Sequence, residues 1–316
     1  MALIDAESIG RVAGLENVQI LTNEPLSKHT SLGVGGPADF FVIPHSIAAL
    51  AELIRYATDA GVPYLVLGEG TNIIVRDAGV RGMVIRIADN LSEIHRDGTQ
   101  VTAQAGARVA MLCRRCCEWG LTGLEFAGGI PGSVGGAVVM NAGAYEGEMR
   151  QVVDWVTAIK PSGKIERLTR DELGLRYRDS IFQHEDLIVA EVGFLLEEGE
   201  AREIRARTYE IVECRCSMQP LARRSAGSVF KRPDGDYAGR LLEAIGAKGL
   251  QVGGAMISQK HANFIVNGGV ATASDILSLI ELVQHRVQER FGIRLEPEVM
   301  VVGEADTPEA SDIDTE

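Results

Sequence analysis

Glycine clustering is the first feature of this sequence with chemical meaning. Three segments each gather several glycines within a few residues: Thr30-Ser-Leu-Gly-Val-Gly-Gly-Pro37, Gly68-Glu-Gly-Thr-Asn72 and Gly128-Gly-Ile-Pro-Gly-Ser-Val-Gly-Gly-Ala137. Glycine accepts positive φ and lets the backbone come close to a ligand, so successive N–H groups in such loops can point at a pyrophosphate. One cluster alone would read as a tight turn; the recurrence is what counts. None is the nicotinamide-dinucleotide fingerprint, because Gly68-Glu-Gly-Thr-Asn-Ile73 breaks Gly-x-Gly-x-x-Gly at its third glycine. No Gly-Lys-Ser/Thr ending of a nucleoside-triphosphate loop is present either. A dinucleotide bound by this chain is held in another way.

Three side chains elsewhere have the types needed for acid–base or anion chemistry. Ser228 lies in Ala226-Gly-Ser-Val-Phe230. A hydrolase nucleophile needs Gly-x-Ser-x-Gly at a strand-to-helix elbow, and Ala226 and Phe230 occupy both glycine positions, so residue type alone leaves a serine in a turn. Arg178, in Tyr177-Arg-Asp-Ser180, carries a permanent charge and a fork of donors that fits a carboxylate; its bland reading is a salt bridge to an acid such as Asp179. Glu298, next to Pro297, reads by itself as a surface carboxylate. Cys113, Cys116 and Cys117 crowd together, as do Cys214 and Cys216, but neither group has the paired spacing of a structural zinc site. Val109, Leu112, Cys113, Cys116 and Cys117 instead follow helical periodicity, so the thiols are expected to pack as small apolar groups, with no metal and no disulfide.

The elements that must carry these residues fall into three lobes. In residues 20–87, Ile47, Leu50, Leu53, Ile54 and Ala57 recur at spacings of three and four, which predicts a helix from Ile47 to Ala60 ended by Gly61-Val-Pro63. It lies between the strands Phe40–Ile43 and Tyr64–Leu67, the second of which runs into Gly68. In residues 88–200, with a first strand at Val84–Ile87, the pattern predicts strands at Val101–Gln104, Val138–Met140, Val152–Ile159 and Leu187–Phe194 and one helix near Val109–Trp119, a mainly antiparallel arrangement. In residues 201–303, helices return near Arg202–Cys214 and over Ser274–Phe291, whose Ile276, Leu279, Ile280, Val283, Val287 and Phe291 form one stripe. The expected class is α+β. Residues 304–316 read as a disordered acidic tail, since Gly303–Glu316 holds six acidic residues and no basic one.

Composition narrows the function. The 316 residues are 46% hydrophobic and 24% charged, as in ordinary globular proteins. The formal charge of −13 argues against nucleic acid, whose phosphates need a basic surface, although local Arg and Lys can still bind an anionic ligand. No apolar run is long enough to span a bilayer, and the N-terminus carries Asp5 and Glu7 in place of a basic start and apolar run, so a cytoplasmic chain with no membrane partner is expected.

Taken in order, the segments carry a family resemblance. Leu67-Gly-Glu-Gly-Thr-Asn72, Gly128–Ala137 and Met140-Asn-Ala-Gly-Ala-Tyr145 resemble the FAD-binding part of the vanillyl-alcohol-oxidase type flavoproteins. Tyr177-Arg-Asp-Ser-Ile-Phe182, Ala226-Gly-Ser-Val-Phe-Lys-Arg-Pro233, Ser258–Asn267 and Leu295-Glu-Pro-Glu-Val299 extend the likeness to the reductases of UDP-linked enolpyruvyl amino sugars, across about Ser27 to Gly303. That resemblance implies a noncovalent FAD and NADPH as co-substrate. It also implies a UDP-linked amino sugar, UDP-N-acetylglucosamine-enolpyruvate, whose enolpyruvyl ether is reduced to the lactyl ether of UDP-N-acetylmuramate in peptidoglycan precursor synthesis. It further implies that FAD binds between the first two lobes, with substrate on the third, and that the chain acts as a monomer.

The resemblance also assigns residues. Gly68, Glu69, Gly70, Thr71 and Asn72, with Ile130, Pro131, Gly132, Ser133 and Gly136, would approach the FAD pyrophosphate, and Asn141 and Gly143 would continue that wall. Arg178 would polarise the substrate carboxylate, Glu298 would help stabilise the charge that hydride transfer creates, and Ser228 would protonate the carbanion. His29, although beside a Gly-rich loop, is not expected to bond the flavin. Ile181 leads almost directly to Leu187, which matches the shorter branch of the family, without the loop whose tyrosine covers the uridine. Lys231-Arg-Pro233 stands where longer members have Lys-Asn-Pro, so Arg232 puts a charge in place of an amide. Two alternatives share some of these features: a related FAD-dependent sugar or alcohol oxidase, and a non-catalytic sugar-nucleotide-binding flavoprotein.

Overall fold

The computed structural model describes Ile9, residues 18–88 and residues 90–305. The acidic tail lies outside the described residues from position 306 onward. Its first residue, Glu304, donates its backbone N–H to Gly79 O.

The first lobe is built on a four-stranded sheet in the order β1 (Val18–Pro25), β2 (Pro37–Pro44), β5 (Val80–Arg86), β3 (Tyr64–Leu67). β1 pairs antiparallel with β2, and β2 and β3 both run parallel to β5. Helix α1 (Ile47–Ala60) makes the crossover between β2 and β3. Ser46 starts it by accepting a hydrogen bond from Ala49 N, and Gly61, at φ +64°, ends it in the left-handed conformation that glycine adopts without steric cost. Its predicted stripe is the buried face: Leu50, Leu53 and Ile54 are fully covered and share a core with Val42, Met83 and Ile85 of the sheet. Each such side chain contributes about 1.5–3 kcal/mol relative to exposure. That packing fixes the end of β3, and the next residue is Gly68.

The second lobe is a five-stranded, wholly antiparallel sheet. Its order is β9 (Ile165–Thr169), β8 (Val153–Ile159), β10 (Ile188–Leu195), β7 (Gln100–Gln104), β6 (Ile94–Asp97). Helix α2 (Val109–Trp119) buries Val109, Leu112, Cys113, Cys116 and Cys117, the five positions that its periodicity picked out. One expectation is overturned: Val138–Met140 is not a strand. Val134–Val139 forms a short helix, α3, and Met140 is its C-cap. Three apolar residues are too few to fix a period, whereas Ser133 supplies an N-cap and Gly135 lets the turn close onto Ala105, where a Cβ would lie 2.9 Å from the alanine Cβ.

The third lobe contains α4 (Ala201–Met218), α5 (Ala238–Ala244), a small sheet of β11 (Gln251–Val252), β12 (Ala255–Ile257) and β13 (Ile265–Asn267), and α6 (Ala273–Phe291). Thr272 and Asp275 close a capping box at the start of α6. Asp77, from the first lobe, accepts from the backbone N–H groups of Ala273 and Ser274 at 2.9 Å, so the two lobes are tied at that helix end. A second tie matters more for the site. The chain's last strand, β14 (Met300–Val302), pairs in parallel with β4 (Ile73–Val75), the strand that follows the Gly68–Asn72 loop. No helix among the described residues is long and apolar enough to cross a membrane.

Candidate active site

The loop after β3 and the loop before α3 meet edge to edge. Thr71 Oγ1 donates to Pro131 O at 3.3 Å, and a Cβ on Gly68 would lie 2.3 Å from Ser133 Oγ. Gly132, at φ +127°, has room for a Cβ only 2.9 Å from Thr71 Oγ1. Gly70, at φ +64°, passes so close to His29 that a Cβ would sit 2.1 Å from its carbonyl oxygen. The glycines are therefore required where the two loops approach each other, and they line a cleft of about 1310 Å³. Ordinary small-ligand sites hold roughly 300–1,000 Å³, so this one can take a dinucleotide and a second ligand side by side.

Gly68, Glu69, Gly70, Thr71 and Asn72 line the cleft on one side, and Ile130, Pro131, Gly132, Ser133 and Gly136 on the other, with Gly143 beyond them. The Glu69 carboxylate is paired with Arg108 at 3.3 Å, which offsets a negative group in a loop suited to phosphates. Asn141 does not line the cleft. It is fully buried behind the wall, where Nδ2 donates to Glu148 Oε2 and Arg176 O, and Oδ1 accepts from Arg150 N. Its side chain holds the Gly143 loop in place. His29 does not line the cleft either: its ring stacks on Phe41 at 4.1 Å and bonds Glu24 Oε1 at 3.0 Å. The glycine cradle and the cleft volume fit an FAD held by backbone amides.

Arg178 and Glu298, 120 positions apart, meet at this cleft. Arg178 Nε donates to Glu298 Oε1 at 2.6 Å, and Nη2 donates to Gly143 O at 3.0 Å. Arg176 and Asp179 exchange backbone hydrogen bonds around a tight turn, and Arg178 sits in it at φ +54°, a conformation that costs a non-glycine residue energy. That turn aims the guanidinium at Glu298. Asp179, the neighbouring acid, pairs with His184 at 2.6 Å instead.

Glu298 is delivered by the β4–β14 tie: Asn72 Nδ2 donates to Glu298 O, and Met300 N donates to Asn72 O. Burial, the largest influence, pushes its carboxyl above the ordinary carboxylate range, against the opposing pull of the Arg178 guanidinium and Lys231. The outcome is a carboxyl group that holds a proton more readily than a free glutamate does.

Ser228 lies on an extended segment between two others. It forms a bridge with Phe264, Val229 N donates to Asn263 O at 2.8 Å, and Glu298 N donates to Val229 O at 2.7 Å. Asn263 secures the segment with both ends of its amide, accepting from Phe230 N and donating to Phe230 O. Ser228 therefore reaches the cleft on the segment next to Glu298. Lys231, further along, pairs with Glu296 at 2.6 Å.

Sequence reasoning missed Arg215, which is 7% exposed and lines the same cleft. The signal was present. Ile204, Ile211 and Arg215 are the buried residues of α4, spaced by seven and four, so an arginine stands on the apolar stripe of an otherwise polar helix. The cysteines play no part at the cleft: Cys113, Cys116 and Cys117 are buried, and Cys214 and Cys216 are exposed on α4.

Comparison with known proteins gives the family. Residues 38–169 match the family profile "FAD binding domain", and residues 219–302 match "UDP-N-acetylenolpyruvoylglucosamine reductase, C-terminal domain". The UDP-N-acetylenolpyruvoylglucosamine reductase of Syntrophomonas wolfei is 47% identical over 286 residues, 90% of this chain and 96% of that protein. That of Lactiplantibacillus plantarum is 46% identical over 287 residues, 91% and 95% of the two chains. The crystal structure of the reductase from Thermus caldophilus superposes with a TM-score of 0.77 at 39% identity, covering 90% of this chain and 98% of that one. The α+β three-lobed arrangement is thus that of the reductase, and the likeness favours it over the sugar or alcohol oxidases. This chain belongs to the UDP-N-acetylenolpyruvoylglucosamine reductase family.

Proposed function

We propose that this chain is an NADPH- and FAD-dependent reductase that adds a hydride and a proton across the enolpyruvyl C=C of a UDP-linked amino sugar, using Arg178, Glu298 and Ser228. The observation that carries the residue assignment is the 2.6 Å Arg178–Glu298 contact, made between two distant segments at the same cleft as the glycine loops. FAD, when bound, supplies the hydride path between NADPH and the enolpyruvyl methylene carbon. The protein's own groups do the rest.

Backbone amides of Gly68–Asn72 and Ile130–Gly136 hold the cofactor's pyrophosphate. Arg178 binds the substrate carboxylate and orients the double bond. That carboxylate competes with Glu298 for the guanidinium, and a second negative charge beside Glu298 raises its affinity for a proton further. Glu298 then holds a proton at Oε1 or Oε2 and donates a hydrogen bond to the developing negative charge. Ser228 Oγ delivers the proton to the carbon next to the carboxylate. The enzyme works in the cytoplasm as a monomer.

The test is steady-state NADPH oxidation by the FAD-loaded protein. It should require the enolpyruvyl sugar nucleotide and yield the lactyl ether. Oxidation of a sugar or alcohol at the expense of oxygen, without need of NADPH, would replace this reading with the oxidase one.

A further inference from the structure

Ser228 sits on a segment flanked by two others, and the two sides hold it differently. On the Glu298 side the contacts are between backbones: Glu298 N donates to Val229 O at 2.7 Å and Lys231 N to Glu296 O at 2.9 Å, around a bridge between Phe230 and Pro297. On the other side the backbone ladder stops early. Ser228 is bridged to Phe264, and Val229 N donates to Asn263 O at 2.8 Å. The chain then turns away, with Phe264 N on His261 O and Asn263 N on His261 Nδ1. The N–H and C=O of Phe230, a residue 2% exposed, are left facing that side.

The Asn263 side chain takes the vacant place in the ladder. Its Oδ1 accepts from Phe230 N at 3.0 Å and its Nδ2 donates to Phe230 O at 2.8 Å, so one side-chain amide pairs with Phe230 as the backbone of a neighbouring strand would. Residue type decides this. An ionised aspartate offers no donor, and leucine offers neither donor nor acceptor. Asn263 is itself 7% exposed, and a buried amide is costly to leave without partners, so the clamp is held from both ends. The segment is thereby pinned on two sides within two residues of Ser228. The cleft lining includes Ser228 and Phe264 but not Asn263.

We propose that Asn263 is a positioning residue for proton transfer: its double contact with Phe230 sets where Ser228 Oγ stands in the cleft. The proposal rests on the proton-donor reading of Ser228 given above. Released on the Asn263 side, the serine can shift, and displacing a reacting group by about 1 Å costs about a hundredfold in rate.

The experiment follows the two half-reactions of FAD-loaded protein without oxygen in wild type, Asn263→Ala and Asn263→Asp, and repeats the alanine change in a Ser228→Ala background. Asn263→Ala should be reduced by NADPH at the wild-type rate and reoxidised by the enolpyruvyl sugar nucleotide about 10- to 100-fold more slowly, with KM unchanged. In the Ser228→Ala background the same change should cost nothing further, because the group it positions has gone. Asn263→Asp separates positioning from packing. Its carboxylate cannot donate to Phe230 O, but the protonated form offers one donor and one acceptor as the amide does, so its rate relative to wild type should recover as pH falls through the carboxyl's pKa. Four results would each overturn the assignment: near-normal reoxidation of Asn263→Ala, equal slowing of both half-reactions, losses that multiply in the double variant, or an Asp variant whose relative rate ignores pH. Loss of FAD or of folding in both Asn263 variants would do the same, by showing a residue that only supports the fold. Failure of wild type to be reduced by NADPH, or near-normal turnover by Ser228→Ala, would instead sink the reading on which the proposal rests, whatever the Asn263 variants show.

Discussion

Removing Arg178 should expose the strain that it relieves, and the effect should depend on pH in a defined direction. Glu298 is pushed toward protonation by burial and held back chiefly by Arg178, with which it forms a 2.6 Å pair whose side chains are 18% and 16% exposed. In Arg178→Ala the restraining cation is gone, so the folded-state pKa of Glu298 rises further above the unfolded value of about 4.3. A carboxyl whose folded pKa is raised contributes nothing unfavourable below the unfolded value. Its penalty grows as pH rises from the unfolded value to the folded one and stays constant above that. Breaking a buried pair costs about 3–5 kcal/mol when the remaining group stays charged, and Glu298 can limit that by taking up a proton. The expected loss of unfolding free energy is therefore about 3 kcal/mol at pH 8. It should fall to about 1 kcal/mol near pH 4.5, where only the hydrogen bonds to Glu298 and Gly143 are missing. Urea unfolding at the two pH values reads this directly. Adding Glu298→Gln to Arg178→Ala should recover most of the stability at pH 8 while leaving substrate reduction slow, by about a hundred- to a thousand-fold. Equal losses at both pH values, or a double variant no more stable than the single one, would refute the reasoning.

Other outcomes follow from the same geometry. Ser228→Ala should keep FAD and its reduction by NADPH yet form product very slowly, Ser228→Cys should recover part of the rate, and wild type in deuterated water should place one deuterium on a single face of the carbon beside the carboxylate; near-normal turnover by the alanine variant would remove Ser228 from the mechanism. Gly132→Val should purify with little flavin, because position 132 has φ +127° and its Cβ would crowd Thr71 Oγ1; full FAD occupancy would contradict the loop assignment. In the folded protein a thiol reagent should modify Cys214 and Cys216 rapidly and spare the other three, since burial drives the Cys113 thiol far up and the Cys116 thiol to about 12; fast labelling of more than two thiols would contradict the burial of α2.

Periodicity made the helices legible. The stripes of α1, α2 and α6 are the buried faces of the structure, because each has enough turns for a spacing of three and four to be unmistakable and a glycine to end it. Short apolar runs were not legible, as Val138–Met140 shows: a cap and three small residues decide between strand and helix there, not hydrophobicity. The pairing of β4 with β14 was also hidden, since parallel strands 227 residues apart leave no local trace. That pairing is what turns Glu298 from an unremarkable carboxylate beside a proline into a buried neighbour of Asn72 and Arg178.

The site divides along the same line. Backbone chemistry could be read in two of the three glycine clusters: the loops Gly68–Asn72 and Ile130–Gly136 face the cleft, whereas Gly33, Gly35 and Gly36 pack against Arg224, Val75 and Asp77. Side-chain roles could not be read from residue type. Asn141 shows why: an amide in a Gly-rich wall reads as a ligand contact, and in the fold it is wholly spent on Arg150, Glu148 and Arg176. Arg215 shows the converse, an arginine on a helix stripe that composition treats as solvated and the fold buries.

The most direct measurement is the visible spectrum of the purified protein through one anaerobic cycle. The protein should carry flavin absorption that acid precipitation releases to the supernatant; one equivalent of NADPH should bleach it, and the enolpyruvyl sugar nucleotide should restore it with formation of the lactyl ether. Colour that NADPH does not bleach, or that the sugar nucleotide does not bring back in the absence of oxygen, would contradict the account.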